Sequence, residues 1–360
     1  MEDPRTNRYN CLQYPFEEIL FLVISAAISG IDGWVGVQIF GNGQIDWLRK
    51  FFPFENGIPS HDTLGRIFAR LDNDQFGSYF IQWISRLHEF TEGEVVAIDG
   101  KRMRGSYDKS EGKAALHMVS AYATQNCLSL GQLACEKKKN EITTIPKLLD
   151  LLTLKGCIVT IDAMGCQKAI AKKIIDQEAD YILQVKDHQK GLLEQIEKVF
   201  NITQIADRDQ NLNADHGRLE ERICEVIHDL RHLDETEGWT GLRSIVRITA
   251  TRINKRTRKK EENTRYYISS RTDSAKTFNV NIRSHWSIEN KLHWVLDVTF
   301  HEDKLRKRKG DSAANFGLIS KIALTLIEKN KGKKSRPQAI KKAAFDTMYR
   351  ETILGIIPKN

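Results

Sequence analysis

Apolar residues recur in steps of three and four near the start of the chain: Phe16, Ile19, Leu20, Val23 and Ile24, then Leu64, Ile67, Phe68 and Leu71. That spacing predicts helices with one buried face across residues 1–90. Ser60, after Pro59, is placed to cap the second of them. The run 19–31 is too short to cross a bilayer and carries Ser25, Ser29 and Gly30, so it reads as a buried helix. Arg66 and Arg70 fall off the apolar face, open to solvent or to phosphate.

After Gly93 the period changes. Residues 95–98 form a short apolar run bounded by turn signals, the mark of a buried strand. Two more strands are predicted at 117–123 and 127–134, a helix at 145–154, a strand at 157–161, a helix at 167–177 and a strand at 181–185. This order predicts an α/β fold, a mixed sheet with helices on its faces. From 189 to 272 the pattern shifts to a β-rich insertion: a helix at 192–200, a polar stretch at 203–217, then strands at 222–227, 244–251 and 265–269. Between the last two, Lys255, Arg256, Arg258, Lys259 and Lys260 make a cationic hairpin tip, either a solvated turn or a phosphate contact. Helical spacing returns from Ala275 through Trp286, Ile288, Leu292 and Val295, is broken at 297–303, and resumes at 313–327 and 338–349. Trp286 and Trp294 stand eight apart near one helical face and read as core.

Composition adds less. Apolar residues are 41% of the chain, enough for a sizeable core, and the formal net charge is +8, which suits a polyanionic partner without requiring one. Six scattered cysteines (11, 127, 135, 157, 166, 224) form no C-x-x-C pair and read as buried free thiols. Acidic residues Glu2, Asp3, Glu17 and Glu18 precede the first apolar run, unlike a secretory signal, so a cytoplasmic protein with no membrane partner is expected.

Three carboxylates stand out by position. Asp99 ends the first buried strand and Asp162 a later one. On neighbouring strands they would share one sheet edge, and two such charges repel unless cations neutralise them. A pair of Mg²⁺ ions, about 4 Å apart on oxygen ligands, would do so and could drive phosphoryl transfer. Glu289, on a predicted helix, could complete the set. Lys101, Arg102 and Arg104 follow Asp99 and could hold phosphate. His117 and His285 are the nearest histidines, and Trp286 could stack on a base.

The chain resembles the H-repeat-associated family of insertion-sequence transposases, a branch of the DDE transposases, over nearly its whole length. The resemblance rests on Gly57-Ile58-Pro59-Ser60-His61-Asp62-Thr63-Leu64, on Ala97-Ile98-Asp99-Gly100-Lys101-Arg102-Met103-Arg104-Gly105-Ser106, and on Leu116-His117-Met118-Val119-Ser120-Ala121-Tyr122. It extends to Thr160-Ile161-Asp162-Ala163-Met164-Gly165-Cys166-Gln167, to His216-Gly217-Arg218-Leu219-Glu220, and to Arg283-Ser284-His285-Trp286-Ser287-Ile288-Glu289-Asn290-Lys291-Leu292-His293-Trp294 and onward to Glu302. It implies a ribonuclease H-like catalytic fold in which Asp99, Asp162 and Glu289 bind two Mg²⁺ or Mn²⁺ ions. The implied layout is a helical DNA-end recognition domain at 1–90, a catalytic core at 91–188 and 273–330, the insertion at 189–272 and a basic tail at 331–360. The broader class carries Tyr, Arg and Lys around its glutamate. Those slots hold Ile282, His285 and Leu296 here, so Arg283 or His285 would take part of that role, with Asp297 and Asp303 as reserve carboxylates.

The implied activity is strand cleavage at element ends and transfer of the freed 3′-OH into target DNA. The expected partners are double-stranded DNA and a second copy of the chain, at the nucleoid. A nuclease that cuts without joining, and a DNA-binding remnant without activity, are the alternative readings.

Overall fold

The computed structural model describes residues 13–87, 91–108, 112, 114–135, 141–215 and 218–356. Cys11, the acidic start at Glu2 and Asp3, and His216-Gly217 lie outside them. The first helices are α1 (Phe16–Ile28), α2 (Trp34–Gly43), α3 (Ile45–Leu48), α4 (His61–Arg70) and α5 (Asn73–Leu87). The Ser60 hydroxyl accepts from the Thr63 N–H at the start of α4, and Leu64 and Phe68 are fully buried, as the pattern predicts.

There follow β1 (Val95–Met103), β2 (Leu116–Ala123), β3 (Leu128–Ala134), α6 (Glu141–Leu151), β4 (Ile158–Ile161), α7 (Lys168–Asp176), β5 (Asp180–Val185) and α8 (Lys190–Ile202). Next come β6 (Asp207–Asp215), β7 (Arg218–Ile227), β8 (Ser244–Asn254), β9 (Lys260–Ser269) and α9 (Ala275–Ser284). The chain closes with α10 (Trp294–Thr299), α11 (Ser312–Asn330), α12 (Arg336–Phe345) and α13 (Thr347–Leu354). The strands make one nine-stranded sheet in the order β3-β2-β1-β4-β5-β9-β8-β7-β6. β1 to β3 are an antiparallel meander, and β4 and β5 run parallel to β1. This is the expected mixed sheet with flanking helices. The β-rich segment joins it edge to edge, through antiparallel pairing of β5 with β9.

Three elements depart from the sequence reading. The polar stretch at 203–217 contains a strand, β6, at the sheet edge. It lacks apolar alternation because its inward side chains are polar: Asp207 accepts from the Ala275 N–H at the start of α9, and Asp209 from the Asn279 amide, which in turn accepts from Arg222. Helical structure continues through Asp297 to Thr299, so the break at 297–303 comes late. The basic 331–360 segment includes two helices, α12 and α13, packed against α1 and α11, and Arg350 is fully buried there.

Five described cysteines are free: Cys157, Cys166 and Cys224 are buried, Cys127 and Cys135 partly so. No described helix is long and apolar enough to cross a membrane.

The N-terminal helices meet the segment after α10 at a buried cation. Lys307 lies 4.7 Å from the Trp34 ring and 3.8 Å from the Phe316 ring, and donates to the Asp32 carbonyl at 2.7 Å. Burial pushes its ammonium down to about 7, against the pull of Asp32. Between about pH 7 and the ordinary lysine value the unfolded chain therefore holds a proton that the folded chain has released, and stability rises with pH across that window. Lys307→Met should raise stability at pH 7, on the order of 3 kcal/mol, and flatten its rise towards pH 9. Urea unfolding at both pH values measures this; an unchanged slope would exclude Lys307 as its source.

Candidate active site

Ile98 pairs with Ile161 in the parallel β1–β4 ladder, and β4 ends there while β1 continues against β2 to Met103. Asp162 is the next residue after β4, at its carboxyl end, and Asp99 is the next residue on β1, at the point where strand order reverses. Asp99 does not end its strand as the sequence reading expected, because pairing with β2 carries β1 on through Asp99–Ser120 to Met103. In open α/β sheets that crevice is where ligands bind.

Glu289 arrives from the other side. After α9, whose Ser274 hydroxyl caps the Thr277 N–H, the chain turns through a π-helical stretch, Ile288–His293, before α10. Ile288 and Leu292 are buried, and Glu289 is exposed towards the sheet edge. Glu289 and Asp162 line one cavity of about 140 Å³ with Thr160, Gln184, Lys186, Arg265, His285 and Trp286. Single-turn π segments are frequent at functional sites.

Electrostatics tie the three carboxylates together. Burial pushes the Asp162 carboxyl above its ordinary value, and the charges of Glu141 and Asp99 add to that. Glu289 is pushed up by burial, then by Asp99. Burial would raise Asp99 too, but His293, by hydrogen bond and charge, with His285 and the Gly100 N–H, holds it low. Among the described residues no three His, Cys, Asp or Glu side chains are already drawn together at metal-holding distances. The donor chemistry nonetheless fits a hard divalent cation, with carboxylate oxygens as ligands and the charge of Asp99 raising both Asp162 and Glu289.

The other expected site residues divide sharply. Lys101 faces inward: its ammonium lies 2.5 Å from Asp297 and 2.6 Å from Glu302. The phosphate contact expected of it therefore gives way to an internal ion pair, which also engages the reserve carboxylate Asp297. Asp303 accepts from the Arg104 backbone N–H. Arg102, Arg104 and Arg283 are exposed; Arg104 sits 3.6 Å from Asp303 and Arg283 3.4 Å from Glu220. His285 is held by Thr160 at 3.0 Å, and burial lowers its basicity.

Trp286 and Trp294 are not core: they are 38% and 58% exposed, because Ile288, Leu292, Val295 and Leu296 form the buried face instead. Arg265 lies over the Trp286 ring at 5.4 Å. Both residues also line a groove of about 770 Å³ between β8–β9 and α9, with Arg222, Arg252, Arg283 and Lys291 among its walls.

His117 is bound by Glu141 at 2.6 Å, which raises its basicity. The pair crosses Gly100 so closely that a Cβ there would sit 2.2 Å from Glu141 Oε1. Sequence reasoning missed Glu141 and Arg265 and gave no role to His293 and Glu302, which lie in the last stretch that carries the family resemblance. Glu141 and Arg265 carry no local signal, whereas His293 falls four after Glu289 within that stretch.

Comparison with known proteins agrees over the full length. A family model described as "Transposase DDE domain" matches residues 91–326, and one described as "DDE_Tnp_1-associated" matches residues 1–84. "Putative transposase YncI" of Escherichia coli O157:H7 is 41% identical over 359 residues, 98% of this chain and 92% of that protein. "H repeat-associated putative transposase YhhI" of Escherichia coli strain K12 is 39% identical over 354 residues, 96% of this chain and 93% of that protein. A cryo-EM structure of piggyBac transposase in a synaptic complex with hairpin DNA aligns with a TM-score of 0.45 at 11% identity, covering 99% of this chain and 77% of that one, too slight a likeness to carry an argument.

Proposed function

This chain belongs to the DDE-domain transposase family, and from that premise we propose that it cleaves DNA strands at the ends of an insertion sequence and joins them to target DNA. The observation that carries the reading is the Ile98–Ile161 register, which leaves Asp99 and Asp162 as the next residues on adjacent strands where β4 ends, with Glu289 lining the same cavity as Asp162. Magnesium or manganese, as two ions held by Asp99, Asp162 and Glu289, would stabilise charge on the phosphoryl oxygens and activate the attacking oxygen.

The remaining roles fall to the chain itself. The exposed Arg102, Arg104 and Arg283 orient the DNA backbone, and the cationic hairpin tip at 255–260 offers a further phosphate contact. Trp286 and Arg265 offer a flat, charged platform between the acidic cavity and the larger groove. Asp162 also caps the following turn by accepting from the Met164 N–H at 3.1 Å, which fixes its carboxylate at the strand end. The helical 1–90 segment recognises element ends, and two copies hold two ends in one assembly.

The test uses duplex DNA from the sequences flanking the chain's own gene, in Mg²⁺, scored for nicking and for joining of a supplied free 3′-OH. Cleavage with joining is expected, together with a steep fall of binding with salt. Cleavage without joining would make the protein a nuclease, and binding without cleavage a remnant. Mg²⁺ should also raise the unfolding temperature, since a ligand of the folded state stabilises it; no shift up to millimolar Mg²⁺ would count against the metal site.

A further inference from the structure

Behind Asp99 stands a residue that neither the register nor the family match assigns. His293 closes the π-helical turn four residues after Glu289, and its Nδ1 lies 3.4 Å from Asp99 Oδ2. The ring is 9% exposed, and among the described residues its Nε2 has no hydrogen-bond partner. Its backbone is held too: the Lys101 ammonium lies 3.5 Å from the His293 carbonyl while gripping Asp297 and Glu302. One buried cation thus pins β1, which carries Asp99, to the turn that carries both Glu289 and His293.

We propose that His293 is a positioning residue of the acidic site, aiming the Asp99 carboxylate at the cleft through its Nδ1 and linking that aim to the turn that bears Glu289. This rests on the reading of Asp99 as a metal-binding carboxylate. Asp99 Oδ1 accepts from the Gly100 N–H at 2.8 Å, and a second donor on Oδ2 fixes the plane of the carboxylate while each oxygen keeps a lone pair for the cleft. Partners that hold a ligating side chain in this way typically account for 10- to 100-fold in metal affinity. The 3.4 Å separation is loose for a hydrogen bond, as such contacts often are before substrate and metal draw a site together. The unpartnered Nε2 matters because, among the described residues, the side-chain polar partner of the ring is Asp99.

The experiment titrates the metal-free full-length protein with Mn²⁺, followed by electron paramagnetic resonance, in the wild type and in His293→Ala, His293→Asn and His293→Gln. Alanine should weaken Mn²⁺ binding by about 10- to 100-fold. Asparagine, whose amide can donate from near the Nδ1 position, should recover most of that loss, and glutamine, whose amide reaches the Nε2 position, should not. A role in packing alone would not separate asparagine from glutamine. Equal affinities across all four proteins, or equal loss in asparagine and glutamine, would overturn the proposal while Asp99→Asn still abolished binding.

A second arm needs no metal. A double-mutant cycle of Asp99→Asn and His293→Ala in urea should show a coupling of about five-fold in the unfolding equilibrium. No coupling overturns the contact itself. Coupling without any Mn²⁺ binding in the wild type would instead sink the metal-site reading and, with it, the purpose assigned to His293.

Discussion

Asp162→Asn is expected to lower metal-dependent strand cleavage by at least about 10³-fold while leaving the protein as stable as the wild type or more so. The two effects part because the native carboxylate is under electrostatic stress: burial, then Glu141 and Asp99, raise it. A carboxyl raised in the folded state binds its proton more tightly there than in the unfolded chain. The stability this contributes is present at low pH and is lost as pH rises through the folded value. At neutral pH the charge is therefore a cost, and the neutral amide removes it while still accepting from the Met164 N–H. Mg²⁺ should reverse the order, stabilising the wild type and much less the variant. Thermal unfolding at pH 7 with and without Mg²⁺, beside a gel assay of cleavage, reads both. A variant that cleaves at a near-normal rate, or that unfolds more easily without metal, would remove Asp162 from the site.

Lys101→Ala should cost about 3 to 5 kcal/mol of stability, the largest loss foreseen for a single side chain here. Glu302 is 5% exposed, and one of its oxygens is held by Lys101. Burial works to raise its carboxyl, but Lys321 and Lys101 together hold it low. Removing Lys101 leaves that charge to Lys321 and His293, and Asp297 loses the hydrogen bond from Lys101 as well. Adding Glu302→Gln should recover part of the loss, because the buried charge goes with it. Urea unfolding of the single and double variants tests this. The salt slope of DNA binding should stay unchanged in Lys101→Ala but become shallower when Arg102 and Arg104 are replaced. A stable Lys101→Ala protein with a shallower slope would return Lys101 to the phosphate.

The strands and helices were largely legible because their side chains obey a period. The buried runs at 95–98 and 157–161 are β1 and β4, and the Leu64–Phe68 face is the buried side of α4. Sequence pattern also singled out Asp99 and Asp162, since each follows an apolar run; it was right that Asp162 ends its strand, but β1 runs on past Asp99 to Met103 because β2 pairs with it there. It failed at β6, whose inward positions are aspartates serving α9, because hydrophobic alternation is blind to a strand secured by hydrogen bonds. It placed Trp286 and Trp294 in the core because it assumed a regular helix, whereas the chain passes through a π turn.

Local order therefore determined the elements, the two aspartates that follow apolar runs and the family likeness. Tertiary structure alone decided which strand lies beside which, and hence that Asp99 and Asp162 are neighbours despite sixty-three intervening steps of chain. It also turned Lys101 inward and brought His293 to Asp99. Those outcomes depend on how distant charges meet once water is excluded, and pairings between segments far apart leave no period in the sequence for a reader to find.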